Sequence, residues 1–211
     1  MDSIPTDGDR ESQASLAPVA DTPTSFSELC AALAGRYTLY EELGRGAAGI
    51  VYRATRDSTG ETVALKALRE EFAVAVSTAR FLQEIELGRT LQHPRIIPVF
   101  DSGDAGRRPF YTMPVITGES LRERLAGSRQ LPLDDTIAIA TQIAEALDYA
   151  HSQGVIHRDI KPGNVLLGEH GAVVADFGIA RAVTVASGES LTDSGIALGT
   201  PEYMSPEQAG G

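Results

Sequence analysis

The stretch HRDIKPGNVLL, residues 157–167, decides how this chain is read. Charged and polar residues with one proline and one glycine lie between the apolar pairs Val155-Ile156 and Val165-Leu166, which predicts buried strand, loop and buried strand. A loop held between buried elements is how a rigid scaffold presents reactive side chains. Asp159 can accept a proton, Lys161 can meet a negative charge, and Asn164 offers an amide oxygen to a hard cation. These are parts suited to phosphoryl transfer. A polar turn holding His-Arg-Asp by chance would read the same from this stretch alone.

The chain has 211 residues, 42 % of them hydrophobic, enough for one sizeable core or two small lobes. Its 29 acidic residues against 18 basic give a net charge of -11, which repels a phosphate backbone and argues against nucleic acid as a partner. Cys30 is the single cysteine and has no intramolecular partner. The start of the chain has neither a basic nor an apolar leader region, so the expectation is a cytoplasmic protein. No apolar run of ~18 residues encodes a membrane span, and an anchor beyond residue 211 would lie outside this sequence.

In chain order, residues 1–25 are rich in Asp, Ser, Thr and Pro and are expected to form a disordered acidic tail. Residues 26–35 read as a short helix: Phe26, Leu29, Cys30 and Leu33 fall at helical spacing, Ser25 or Ser27 can cap it, and Gly35 can stop it. Tyr37 to Leu43 tends to a strand and leads into Gly44-Arg-Gly46-Ala-Ala-Gly49. Dinucleotide folds also use such a run, but there the last glycine opens a helix. Here Ile50, Val51, Tyr52 and Thr55 predict a strand, and the turn at 57–60 leads to a third run ending in Val63-Ala64-Leu65-Lys66. Two strands joined through a glycine flap bring backbone N–H groups over phosphates, although a plain glycine-rich hairpin fits as well.

A lysine at the end of an apolar strand needs an anion. Phe81, Ile85, Gly88 and Leu91 form a helical stripe over residues 77–91, with Glu84 beside it and Glu86 turned away, so Glu84 is the expected partner of Lys66. An ordinary surface pair between Arg80 and Glu84 is the alternative. Ile137, Ala140, Ile143, Ala144, Leu147 and Ala150 predict a core-facing helix over 133–151, stopped at Gly154. The four histidines lack metal-ligand spacing and are read as structural.

The ordered set GRGAAGIV, VALK, HRDIKPGN, DFG at Asp176-Phe177-Gly178 and SPE at Ser205-Pro206-Glu207 resembles the eukaryotic-like serine/threonine protein kinases, above all their bacterial branch. The resemblance runs from Tyr37 to Gly211. It implies an α+β, bilobal fold: an N-lobe and hinge over 36–116, with an antiparallel sheet and one main helix, and a partial helical C-lobe over 117–211. It also implies ATP and Mg2+ as cofactors and protein Ser or Thr hydroxyls as acceptors.

By the same resemblance, Gly44, Gly46 and Gly49 flap over the ATP phosphates, Val51 and Ala64 pack on the adenine, and Lys66, paired with Glu84, holds the α and β phosphates. Met113 guards the back pocket, while the Pro114 carbonyl and the Ile116 N–H read the adenine edge. A proline is harmless where only a carbonyl is used. Leu166 floors the adenine site, and His157 packs under Phe177. Asp159 deprotonates the substrate hydroxyl, Lys161 meets the transferring phosphoryl group, and Asn164 and Asp176 bind magnesium.

The polar segment 180–196 between DFG and SPE is expected to be a mobile activation loop. Phosphorylation is expected at Thr192 or Ser194, with Arg158 as the phosphate's partner, Thr184, Ser187 and Ser190 as weaker sites, and a homodimer as the route to trans-autophosphorylation. Thr200 resembles the family threonine that bonds near Asp159. Two departures stand out. The chain ends four residues past Glu207, where the family has further helices, so a catalytically impaired nucleotide- or protein-binding fragment is the alternative expectation. Gly88 stands where relatives usually place an apolar side chain, and glycine should loosen that helix by roughly 1 kcal/mol relative to alanine.

Overall fold

The computed structural model describes residues 23–46, 48–70, 73, 77–127, 130–177 and 201–210. The expectations on the acidic tail up to residue 22, on Gly178, and on Thr184, Ser187, Ser190, Thr192, Ser194 and Thr200 lie outside them.

The element that organises the first half is β3 (Glu61–Leu68). Its sequence is apolar on both faces, as suits a central strand covered twice. In the antiparallel sheet it lies between β2 (Gly49–Arg56) and β5 (Pro109–Met113), with β1 (Tyr37–Arg45) and β4 (Asp101–Asp104) at the edges, in the order β1-β2-β3-β5-β4. Val63, Leu65 and Ala67 point to one side, into a core with Leu29 and Leu33 of α1 (Pro23–Leu33). Ala64 and Leu68 point to the other, against Phe81 and Ile85 of α2 (Thr78–Arg89). The first helix therefore covers the back of the sheet. It starts at Pro23, ahead of the expected Phe26, since proline suits a first helical turn.

The second half holds β6 (Gly118–Ser120), α3 (Leu121–Gly127), α4 (Leu133–Ser152), β7 (Val165–Gly168) and β8 (Gly171–Val174). The last helix, α5 (Pro206–Gly210), follows a single 3-10 turn at Pro201–Tyr203. β6, β7 and β8 form a small antiparallel sheet. Gln142 fixes α4 to it by accepting a 2.7 Å bond from the Ala172 N–H. The segment between α2 and β4 pairs with β8, where Ile97 N–H donates to Val174 O at 2.9 Å and Val174 N–H donates to Arg95 O at 2.8 Å.

Two expectations need correction here. Val155-Ile156 forms no strand: these residues follow the αL turn at Gly154, and Ile156 is exposed, so only the downstream half of the strand-loop-strand unit is β structure. The apolar stripe of α4 is also only partly core. Ala146 and Ala150 are fully buried and Ile143 and Leu147 pack beside them, but Ala140 and Ala144 are exposed and Ile137 is 55 % exposed. The helix meets β8 along one narrow face, so the wider apolar arc rotates away from it.

Candidate active site

Register places the site. Val51 pairs with Lys66 across β2 and β3, Lys66 pairs with Tyr111 across β3 and β5, and Ala64 pairs with Met113. Directly paired residues share a face, so these five side chains emerge on one side of the sheet. Ala64 and Met113 are buried in one cluster, against which Val51, Ile116 and Leu166 pack. The apolar residues expected around the adenine are thus brought together by three strands, β7 and the segment after β5. Pro114 and Ile116 lie in that segment, 114–117, which has no regular structure.

At the flap, the Gly46 N–H donates to Gly49 O at 2.9 Å and closes the turn between β1 and β2. The three glycines have different reasons to be there. A Cβ on Gly49 would lie 2.6 Å from Ala67 O, so this glycine is required by the packing of β2 on β3. A Cβ on Gly44 would meet nothing within 4 Å, and one on Gly46 only Gly49 O at 3.8 Å. Neither has positive φ. Packing does not ask for a glycine at either position, and the missing side chains leave backbone open above the site.

The lysine's ion pair is the main surprise. Lys66 Nζ donates to Asp176 Oδ2 at 2.5 Å, and the Tyr111 hydroxyl donates to Asp176 Oδ1 at 2.5 Å. Lys66 and Asp176 are thus in ion-pair contact, and Glu84, the expected partner, is buried at 8 % exposure on the face of α2 turned to the sheet. Burial opposes charge on Asp176, but the adjacent Lys66 ammonium and the bonds from Lys66 and Tyr111 outweigh it and hold its carboxyl below the ordinary value. Burial, then the Asp176 charge, push the Tyr111 phenol well above its usual range, so it is a neutral donor. Asp176 itself adopts φ +67, a strained conformation for a residue with a Cβ.

The loop over residues 157–164 holds its own cluster. Asp159 Oδ2 accepts from Lys161 Nζ at 2.6 Å and from Asn164 Nδ2 at 3.1 Å, and Asn164 Nδ2 also reaches the Asp159 carbonyl at 2.8 Å. The Pro162–Asn164 turn, one round of 3-10 helix started by proline, brings Asn164 back over Asp159. Asn164 O then accepts from Ala175 N–H at 2.9 Å, which sets Asp176 beside the loop.

His157 locks the same junction. Its Nδ1 accepts from Asp159 N–H at 3.2 Å, so Nε2 carries the proton and donates to Ala175 O at 2.8 Å. The ring meets Phe177 edge-on at 4.6 Å between centroids, as expected. Burial lowers its pKa despite the opposing pull of the Ala175 carbonyl and the neighbouring carboxylates. Arg158 is exposed with φ +66, and its carbonyl accepts from Gln208 Nε2 at 2.8 Å, which ties the segment after SPE to the loop. A Cβ on Gly88 would sit 3.0 Å from Phe177 O, so glycine there lets α2 approach the Phe177 backbone.

The donors suit a small hard cation. Asn164 commits its amide nitrogen to Asp159, which leaves the amide oxygen, and Asp176 supplies a carboxylate. Among the described residues no three His, Cys, Asp or Glu gather into a metal cage. Magnesium needs none, because it is bound by one or two protein oxygens and completes its shell with water and phosphate.

Tyr111 and Gln208 were not foreseen as site residues. A tyrosine inside the fully buried strand PFYTM does signal a hydroxyl in need of a partner, but not which partner.

A flap-bearing five-stranded sheet with one main helix, joined to a loop of this composition, is the architecture of the protein kinases, and the kinase domain of PknI from Mycobacterium tuberculosis superposes with a TM-score of 0.61 at 35 % identity over 69 % of this chain and 60 % of that one. The chain belongs to the protein kinase domain family, whose model matches residues 37–210. It is 43 % identical over 185 residues to the probable serine/threonine-protein kinase SCO3848 of Streptomyces coelicolor, covering 85 % of this chain and 27 % of that protein. It is 42 % identical over 193 residues to the DNA damage-responsive serine/threonine-protein kinase RqkA of Deinococcus radiodurans, again 85 % of this chain and 27 % of that protein. The chain spans about a quarter of the length of these relatives. No described helix is long and apolar enough to cross a membrane.

Proposed function

We propose that this chain carries the catalytic residues of a serine/threonine protein kinase, which moves the γ-phosphoryl group of ATP to a protein hydroxyl. The observation that carries this reading is the Asp159 carboxylate, bracketed by Lys161 and Asn164 and tied through Asn164 O to the segment that presents Asp176. As the new oxygen–phosphorus bond forms and the bond to the ADP oxygen breaks, Asp159 takes the proton of the attacking hydroxyl. Lys161, at hydrogen-bond distance from Asp159, meets the charge spread over the phosphoryl oxygens. Lys66 holds the remaining phosphates from the sheet, and the absence of side chains at Gly44 and Gly46 lets the flap backbone come close to them. Asn164 and Asp176 would hold Mg2+, which would neutralise phosphate charge. Val51, Ala64, Met113, Ile116 and Leu166 supply the apolar slot for the base, with the Pro114 carbonyl at its edge.

The relatives named serine/threonine kinases support Ser or Thr as the acceptor. Activation by phosphorylation at Thr192 or Ser194, with Arg158 as the phosphate's partner and a second copy as the donor enzyme, follows from the same reading.

A catalytically impaired module that binds nucleotide or protein is the second reading. It is favoured by the large apolar side chains at the surface of the second half, where Leu133, Ile137 and Ile156 are 72 %, 55 % and 56 % exposed. Incubation with Mg2+ and γ-labelled ATP beside an Asp159→Asn control separates the two. Label on the chain or on a generic basic protein, reduced on the order of a hundredfold or more in the control, supports catalysis. Silence of both supports the second reading.

A further inference from the structure

We propose that Tyr111 is a positioning residue for Asp176, setting the orientation of that carboxylate from the hinge strand so that it can take up the metal of a bound nucleotide. The inference rests on the kinase reading, and goes beyond it in giving a function to a residue outside the motif set.

Tyr111 and Lys66 are register partners on β5 and β3, so their side chains leave the sheet side by side, with Lys66 Nζ 6.0 Å from the tyrosine ring centroid. They diverge onto the two oxygens of one carboxylate: Lys66 on Oδ2, Tyr111 on Oδ1, both at 2.5 Å. A carboxylate held by one donor can still turn about the bond to its Cβ. Held by two donors on adjacent strands, it cannot. The need for a second donor follows from the place of Asp176, which leaves the small sheet after β8 at φ +67 and has only a two-residue link, Ala175-Asp176, between Val174 and Phe177.

The two donors differ in what they do to a cation. Lys66 brings a positive charge next to the metal-binding carboxylate. The phenol adds no charge. Each carboxylate oxygen has about two acceptor sites, so one hydrogen bond per oxygen leaves one lone pair on each side for a metal. Tyr111 therefore fixes the geometry without cancelling the charge that attracts the ion. It is 1 % exposed and rigidly packed in β5 beside Phe110, Thr112 and Met113, so the hydroxyl has little freedom of its own. Because β5 leads directly into the segment 114–117, the same strand that borders the base would also set the metal ligand.

The test is Tyr111→Phe, which removes only the hydroxyl and keeps the ring in its packing site. With full-length protein, Mn2+ binding is followed by electron paramagnetic resonance with a saturating non-hydrolysable ATP analogue, and analogue binding without metal is followed by calorimetry. A hydrogen bond to a charged group is worth enough that the Mn2+ dissociation constant should rise on the order of tenfold. Metal-free analogue binding should stay within about twofold, and kcat should fall while the KM for ATP holds.

Unchanged Mn2+ binding, or tighter binding, in Tyr111→Phe overturns the proposal; the second result would make the tyrosine a lock and not a guide. A parallel loss of metal-free analogue binding and of melting temperature also overturns it, since that is the mark of a residue that only supports the fold. The wild type separates the two levels of inference. If it takes up neither Mn2+ nor the analogue, the kinase reading fails and this proposal falls with it; if it binds both and the variant matches it, this proposal fails alone.

Discussion

Replacing Gly49 and Gly46 separately by alanine tests whether the flap glycines are present for packing or for a ligand. At Gly49 the new Cβ would lie 2.6 Å from Ala67 O, a backbone atom that no rotamer can move. Ordinary carbon–oxygen contacts of the closest kind are about 3.3–3.6 Å, so β2 and β3 must part by roughly 0.7–1.0 Å at this point. Overpacking of this kind costs about 1–3 kcal/mol. Loss of glycine's freedom in the unfolded chain returns about 0.4–1 kcal/mol, for a net loss of about 1–2 kcal/mol. At about 2–4 °C per kcal/mol for a chain of this size, Gly49→Ala should melt roughly 2–8 °C below wild type.

Gly46→Ala has room, its nearest atom being Gly49 O at 3.8 Å, so its melting temperature should stay level or rise slightly. With magnesium and a non-hydrolysable ATP analogue the order should invert. A ligand at a hundredfold excess over its dissociation constant stabilises by about 2.7 kcal/mol. Gly49→Ala should keep most of that shift on its lowered baseline, and Gly46→Ala should lose a measurable part of it if, as proposed, the phosphates approach the flap where the new methyl group would stand. Scanning calorimetry with and without the analogue reads both. Equal melting of the two variants without ligand would refute the packing argument for Gly49; an undiminished ligand shift in Gly46→Ala would refute the ligand argument for Gly46.

Two further outcomes follow. His157 is held neutral, with a folded pKa below its unfolded value of about 6.5, so the unfolded chain binds more protons just below that pH. Stability should be fully present above pH ~6.5 and fall as the pH drops towards the folded pKa; His157→Phe should lose that slope, seen in melting temperatures between pH 8 and 5, while melting lower throughout because the Asp159 N–H and Ala175 O lose a partner. On α4, Ile137→Ser should change stability by less than about 0.5 kcal/mol, since the side chain is 55 % exposed, whereas Ala150→Leu should cost about 1–3 kcal/mol by overpacking a fully buried position; urea melts of the 211-residue chain compare them.

Where the sequence was legible, local pattern and structural environment carry the same information. The apolar run of β3, the turn between β2 and β3 and the cluster 157–164 each announce themselves within a few residues. The stripe Phe81, Ile85, Gly88 also placed Glu84 correctly on the buried face of α2. Legibility failed where a residue's neighbour is fixed by another element. The exposed arc of α4 has the same period as its buried one, so sequence alone could not say which part faces β8. Ile156 looks like a strand residue until the turn at Gly154 directs it outward.

The contact between Lys66 and Asp176 shows this limit most sharply. Asp176 is 110 residues away from Lys66, and nothing local in the sequence joins the two. What prepares the contact is a three-strand register: Val51 opposite Lys66, and Lys66 opposite Tyr111. That register sets a neutral donor beside a charged one, and two such donors at this spacing match the two oxygens of a single carboxylate. Withdrawal of Asp176 would leave the tyrosine hydroxyl buried without its acceptor, at a cost of about 1–3 kcal/mol. In this arrangement the Lys66–Asp176 contact and the Tyr111 hydroxyl stand or fall together, so Lys66→Met should weaken the hold on Asp176 less than removal of both donors, and by an amount that depends on whether Tyr111 is present.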